Sequence, residues 1–213
     1  MRKIAILALF GALLLAAVPR LSAQAQPVKA GTPVLITSCG QSPGPVMMKV
    51  ILQKALGQNT TLNIDNKNTV SVQQSGPYEL IPLATPSDLK MKPFKSLIIV
   101  MGASLKGMGA AGISIDDELK RIGALIDEAR KLQIKVIGAH IEGMKRRAQG
   151  ADAGDTTDEQ SIDAVAPKSD ILLVNKDGDG DGRFTNIAKA KNIPIILVEK
   201  NLDLVKECEK LFK

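Results

Sequence analysis

Residues 102–112 read Gly-Ala-Ser-Leu-Lys-Gly-Met-Gly-Ala-Ala-Gly and follow directly on the apolar run Leu97 to Met101. A β-branched run that opens into a glycine-rich loop and then a helix is how parallel α/β proteins turn backbone N–H groups toward a ligand. Gly102, Gly107 and Gly109 allow close approach, Ser104 brings a hydroxyl and Lys106 a charge. The set suits a small anion. It is not a P-loop, because no Gly-Lys-Ser/Thr ends it, and its glycines are out of register with the dinucleotide fingerprint. A tight turn with close helix packing is the competing reading.

Other stretches add chemistry of their own. Gly40-Gln41-Ser42-Pro43-Gly44 has the spacing of a nucleophile elbow. That motif uses the N–H of the residue after its serine, and Pro43 has none. The single histidine, His140, also falls too early in the chain for the usual hydrolase order. Ser42 therefore reads as a helix N-cap, and Gln41 as an amide able to orient a ligand. His140 is a candidate donor or general acid/base, against a satisfied structural histidine. Arg146 and Arg147 offer the planar fork that suits carboxylate or phosphate, against ordinary solvated charges. Asp177, Asp179 and Asp181 alternate with glycines like the first half of an EF-hand loop, but position twelve is Ala188 rather than glutamate. Calcium is the one cofactor this spacing suggests, against a polar turn, and no Cys/His set for zinc exists. Cys39 and Cys208 form an even pair. One follows a strand and the other lies two turns down a helix, which argues against a bridge.

The elements that must position these groups alternate. Strands are read at Val34 to Ser38, Thr61 to Ile64, Leu97 to Met101, Lys135 to His140, Asp170 to Asn175 and Pro194 to Glu199. Helices are read at Pro43 to Leu56, Ile115 to Lys131, Gln160 to Val165, Phe184 to Lys191 and Leu202 to Phe212. The third strand is apolar on both faces, and Leu119, Ile122, Leu125, Ile126 and Ala129 give the 115–131 helix one apolar stripe. Ser114 caps that helix, with Asp116, Asp117 and Glu118 in its first turn. The stretch 65–93 reads as an irregular insertion with an edge hairpin or short helix, and 145–160 as a polar loop. Apolar strands spaced by amphipathic helices imply an α/β, doubly wound, mostly parallel sheet of five to six strands, Rossmann-like or flavodoxin-like. Strand order is not readable from one sequence. Ligands in such sheets sit at the carboxyl ends of the strands, and the loops just described all leave from there.

The combination of Thr37 to Gly44, Gly102 to Gly112, and His140-Ile141-Glu142-Gly143 with Arg146-Arg147 resembles an uncharacterised family of exported bacterial proteins, the domain-of-unknown-function family 6305. The resemblance spans nearly the whole chain after its leader. It implies an exported single α/β domain, and it brings no assigned activity and no catalytic residues to carry over.

Residues 1–25 read as a signal peptide: Arg2 and Lys3, the apolar run Ile4 to Val18, then Ala23-Gln24-Ala25. The apolar run is short of the roughly 20 residues a spanning helix needs. Residues 26–213 are then one exported domain, periplasmic or extracellular, with no stable membrane anchor after cleavage. Losing Arg2, Lys3 and Arg20 lowers the net charge from +6 to +3, weak grounds for a polyanion partner. Outside the leader the aromatic residues are Tyr78, Phe94, Phe184 and Phe212, too few for a nucleic-acid stacking platform. The reading that results is a domain binding a small anionic molecule at the sheet's carboxyl edge through Gln41, Ser42, Gly102, Ser104, Lys106, Gly107, Gly109, His140 and Arg146. A hydrolase or transferase using His140, and a protein-interaction module, stay open beside it, so whether the chain is an enzyme is left undecided, as is its oligomeric state.

Overall fold

The computed structural model describes residues 28–64, 70–148 and 156–213. The leader lies outside them, as do parts of 65–93 and of 145–160.

The chain opens with β1 (Val34–Cys39) and α1 (Gly44–Leu56). Next, β2 (Asn59–Ile64) and β3 (Val70–Ser75) pair antiparallel with each other alone, as a separate two-stranded ribbon. The main sheet resumes at β4 (Tyr78–Leu80) and β5 (Ser96–Met101). Two helices follow, α2 (Leu105–Ala111) and α3 (Ile115–Lys131). The remainder alternates: β6 (Lys135–His140), α4 (Thr157–Val165), β7 (Ile171–Asn175), α5 (Arg183–Lys191), β8 (Ile195–Val198) and α6 (Leu204–Phe212). The sheet order is β4-β1-β5-β6-β7-β8, and every neighbouring pair is parallel. Counting only its own strands, the order is 2-1-3-4-5-6, the flavodoxin-like winding with one strand added.

The strand sequences explain this arrangement. β1 and β5 are buried along their whole length, as a parallel sheet covered on both faces requires. Side chains alternate across the sheet. Val34, Ile36, Ile98, Val100, Ile137 and Leu173 meet α1 and α6 on one face. Leu35, Leu97, Ile99, Met101 and Leu172 meet α3, α4 and α5 on the other. The stripe read for α3 is buried as expected, and Ser114 and Asp117 form a reciprocal capping box at its start.

Four local readings need correction. The strand at Thr61 to Ile64 belongs to the ribbon and not to the main sheet. The place beside β1 is taken by β4, three residues inside the stretch read as irregular. The glycine-rich segment is itself a helix, α2, capped by the Ser104 side chain accepting from the Gly107 N–H. Ser42 is not the α1 N-cap: Pro43 holds that position, and the Ser42 hydroxyl accepts from the Gly44 N–H at 3.3 Å.

Candidate functional site

At β1 and β5 the winding reverses. From β1 the chain passes to α1 on one face, and from β5 to α3 on the other. Such a switch point opens a crevice at the carboxyl ends of the two strands. Here the crevice is laced shut by backbone. The Gly102 N–H donates to the Cys39 carbonyl at 3.1 Å and the Ser104 N–H to the Gly40 carbonyl at 2.7 Å. Gln41 and Ala103 form an isolated antiparallel bridge, and the Ala103 N–H donates to Asp158 Oδ1 at 2.7 Å. The N–H groups of Gly102, Ala103 and Ser104 are therefore already paired. The glycines serve close packing instead: a Cβ on Gly107 would collide with the Gln41 carbonyl oxygen. Gln41 holds a left-handed backbone (φ 57°) and spends its amide on Glu118 and the Pro82 carbonyl.

Beneath this junction lies an ion pair that sequence reading missed. Glu118 is fully buried. It accepts from the Gly40 N–H (2.8 Å), Gln41 Nε2 (2.8 Å) and Arg121 Nε (2.9 Å). Arg121 in turn donates to the carbonyls of Ser38 (2.6 Å) and Ala84 (2.7 Å). A signal existed. Glu118 sits four residues before Ile122 and seven before Leu125, on the apolar stripe of α3.

The third loop does arrive at the same pole. Arg146 Nη1 donates to the Ala103 carbonyl at 2.7 Å, and Nε reaches Glu142 Oε2 at 3.3 Å. A Cβ on Gly102 would lie 3.1 Å from Arg146 Cγ and 3.2 Å from Ser42 Oγ, so these two side chains flank Gly102. The loops converge as expected, but Arg146 occupies the hollow that they were expected to leave open. Its Nη2 has no partner among the described residues, nor has the Ser42 hydroxyl proton an acceptor. Lys106 and Lys145 are exposed and have no partner among the described residues. The carboxylates nearby are committed: Glu142 to the Gly44 N–H and Arg146, Asp177 to the Met144 N–H, Glu199 to Lys176. These three carboxylates help to line a cleft of about 340 Å³ at the carboxyl ends of β6 to β8, together with Met47, Lys145 and Asn201.

His140 and Arg147 lie on the opposite face of the sheet from that cleft. His140 has no exposed surface. Its ring packs 4.9 Å from Phe184, and Nε2 donates to the Gly143 carbonyl at 3.1 Å, which leaves Nδ1 bare and unpartnered. Burial lowers its pKa, so the ring is held neutral. The arrangement is that of a core histidine and not of a ligand-facing acid or base. Arg147, with its side chain 1% exposed, joins Glu159, Asp181 and the Gly178 carbonyl, and so ties its own loop to α4 and to the segment after β7. The aspartates read as a calcium half-site diverge. Asp181 pairs with Arg147, Asp177 caps Met144, and Asp179 accepts from the Phe184 N–H (2.7 Å) and Thr185 at the start of α5. No cluster of three metal-ligating side chains occurs among the described residues. Cys39 and Cys208 are free and buried on opposite faces of the sheet. Burial raises both thiol pKa values, that of Cys208 to about 12.

A family model described as "Domain of unknown function (DUF6305)" matches residues 31–212. Curated proteins include no match. Among solved structures, a psychrotrophic esterase, EstA, from Pseudoalteromonas sp. is similar, at 11% identity and a TM-score of 0.32 over 78% of this chain and 76% of that one. An acetyl xylan esterase, AlAXEase, is similar at 15% identity and a TM-score of 0.32 over 83% and 85%. Among the described residues no helix is long and apolar enough to cross a membrane.

Proposed function

The chain belongs to the DUF6305 family, and from that premise and the geometry at its carboxyl pole we propose that it is an exported domain that binds a small anionic molecule over Gly102. Arg146 Nη2 and the Ser42 hydroxyl hold the anion, and Lys106 and Lys145 raise the local positive potential. One observation carries this reading. Around the junction Glu142, Asp177 and Glu199 already accept from protein donors, while Arg146 Nη2, Lys106 and Lys145 have no partner among the described residues. A donor set left unsatisfied beside satisfied acceptors favours a negative guest. Gln41, Ser104, Gly107 and Gly109 leave the ligand set and become scaffold. His140 leaves it as well, since its enclosed ring can touch no substrate, and the hydrolase alternative loses its acid/base group.

A thermal-shift titration with inorganic phosphate and with sugar acids tests the proposal. A ligand that binds only the native state at a hundred times its Kd stabilises by about 2.7 kcal/mol. The expected result is a saturable rise in Tm that disappears in Arg146→Gln, shrinks in Lys106→Ala and persists in Lys189→Ala. Non-specific stabilisation by phosphate raises all variants alike. A wild type that shows no saturable rise, or an Arg146→Gln variant that keeps it in full, overturns the reading.

A further inference from the structure

In a parallel sheet each connecting helix runs back against the strands, so the helix C-termini gather at the strands' amino ends, the pole opposite Gly102. Cations are favoured there. The last turns carry Lys54 in α1, Arg130 and Lys131 in α3, Lys189 and Lys191 in α5 and Lys210 in α6. The segment that enters β5 adds Lys90, Lys92 and Lys95. Glu79, Glu128, Asp170 and Glu207 each pair with one or two of these cations, and exposed Asp127 lies one turn before Lys131. Lys29, Lys54, Lys95, Lys135, Lys189 and Lys191 have no acidic partner among the described residues. This excess of positive charge borders an apolar groove of about 460 Å³, lined by Leu89, Met91, Phe94, Leu132 and Ile134 with Lys90, Lys92 and Lys95. Met91 is 69% exposed and Leu132 41%.

We propose that this pole docks reversibly on an anionic phospholipid bilayer, with Met91 and Leu132 entering the interface and the lysines level with the phosphates. Three observations select a bilayer. The unpaired cations complement an anionic surface. The two exposed apolar side chains stand among those cations, as an interface with hydrocarbon beneath its charged layer requires, and lysine stems can lie along the groove while their ammonium groups reach outward. A nucleic acid offers the charge without the apolar layer and would leave Met91 and Leu132 in water. Lastly, the chain enters the domain here: the Ala30 N–H donates to the Leu211 carbonyl, and Lys135 Nζ to the Lys29 carbonyl. Residues 19–27 separate the apolar run Ile4 to Val18 from this point and span at most about 30 Å. A bilayer that holds the apolar run therefore meets this pole first.

Co-sedimentation tests this with residues 26–213, which hold both apolar cores, and vesicles of phosphatidylcholine or of its equimolar mixture with phosphatidylglycerol. Binding is expected to the mixed vesicles only, and should vanish in about 1 M salt, where the Debye length falls to about 3 Å. Lys95→Gln should weaken it about fivefold. The chain has no tryptophan, so Leu132→Trp reports on this groove alone, and its emission should shift to the blue on the mixed vesicles. Failure to bind the mixed vesicles overturns the proposal, as does equal binding to both compositions, or an emission that stays put while the protein sediments. Duplex DNA that binds with the same loss in Lys95→Gln, while the mixed vesicles do not, makes the pole a nucleic-acid surface and overturns it too. So does vesicle binding that is lost in Arg146→Gln and kept in Lys95→Gln, which places the headgroup over Gly102 instead. The proposal does not rest on the anion site, and its failure leaves the phosphate titration to stand or fall alone.

Discussion

A carboxylate with no exposed surface is stable only while its partners hold it. Glu118 has three, and one of them, Arg121, also fastens the carbonyls of Ser38 and Ala84. Glu118→Gln leaves the guanidinium without its counter-charge, so a loss of about 3 to 5 kcal/mol is expected in urea unfolding. Replacing both charges, as Glu118→Leu with Arg121→Met, should recover much of that loss. At this scale the sequence showed residue types and not their commitments. Arg146 and Lys106 keep donors to offer, as their chemistry suggests. Gln41 does not, because an amide beside a buried acid finds partners within the chain first.

The glycine-rich segment shows the same lesson for an element. Its composition suggested a ligand loop, since Gly107 and Gly109 weigh against a helix. The helix forms because Ser104 caps it and the backbone must pass close to Gln41. The two glycines therefore respond oppositely to substitution. Gly107→Ala drives a methyl group into the Gln41 carbonyl and should destabilise. Gly109 has nothing within 4 Å of its missing Cβ, so Gly109→Ala should stabilise by about 0.5 to 1 kcal/mol through helix propensity. Paired thermal melts of the two variants check the sign. The long elements were legible: α3 is recovered residue for residue because its stripe and capping signals agree. β4 was not, because three residues are too few to show a period, and the ribbon was misplaced because strand pattern carries no record of neighbours.

One sheet separates the two apolar cores, so neither survives without the other, and unfolding of the domain should be a single cooperative transition. A local protonation is then read out globally. His140 is depressed by burial from its ordinary value of 6.5. The unfolded chain takes up a proton as pH falls below that value, while the folded chain resists until its own lower pKa. Its contribution is complete above 6.5 and drains away as pH falls from there toward the folded value. Urea midpoints measured from about pH 7.5 to about pH 5.5 should fall for the wild type, and fall less for His140→Gln. Equal slopes would show that the ring does not titrate differently on folding. The parallel winding was legible at this scale, because strands apolar on both faces need cover on both. The 2-1-3-4-5-6 order was not, since alternation assigns faces and never sequence of pairing. The same sheet that parts the cores also walls off Cys39 from Cys208. The native state therefore needs no oxidant to mature and offers a reductant nothing to cleave, so the domain can acquire its shape equally well in a reducing cell interior or in an oxidising exterior.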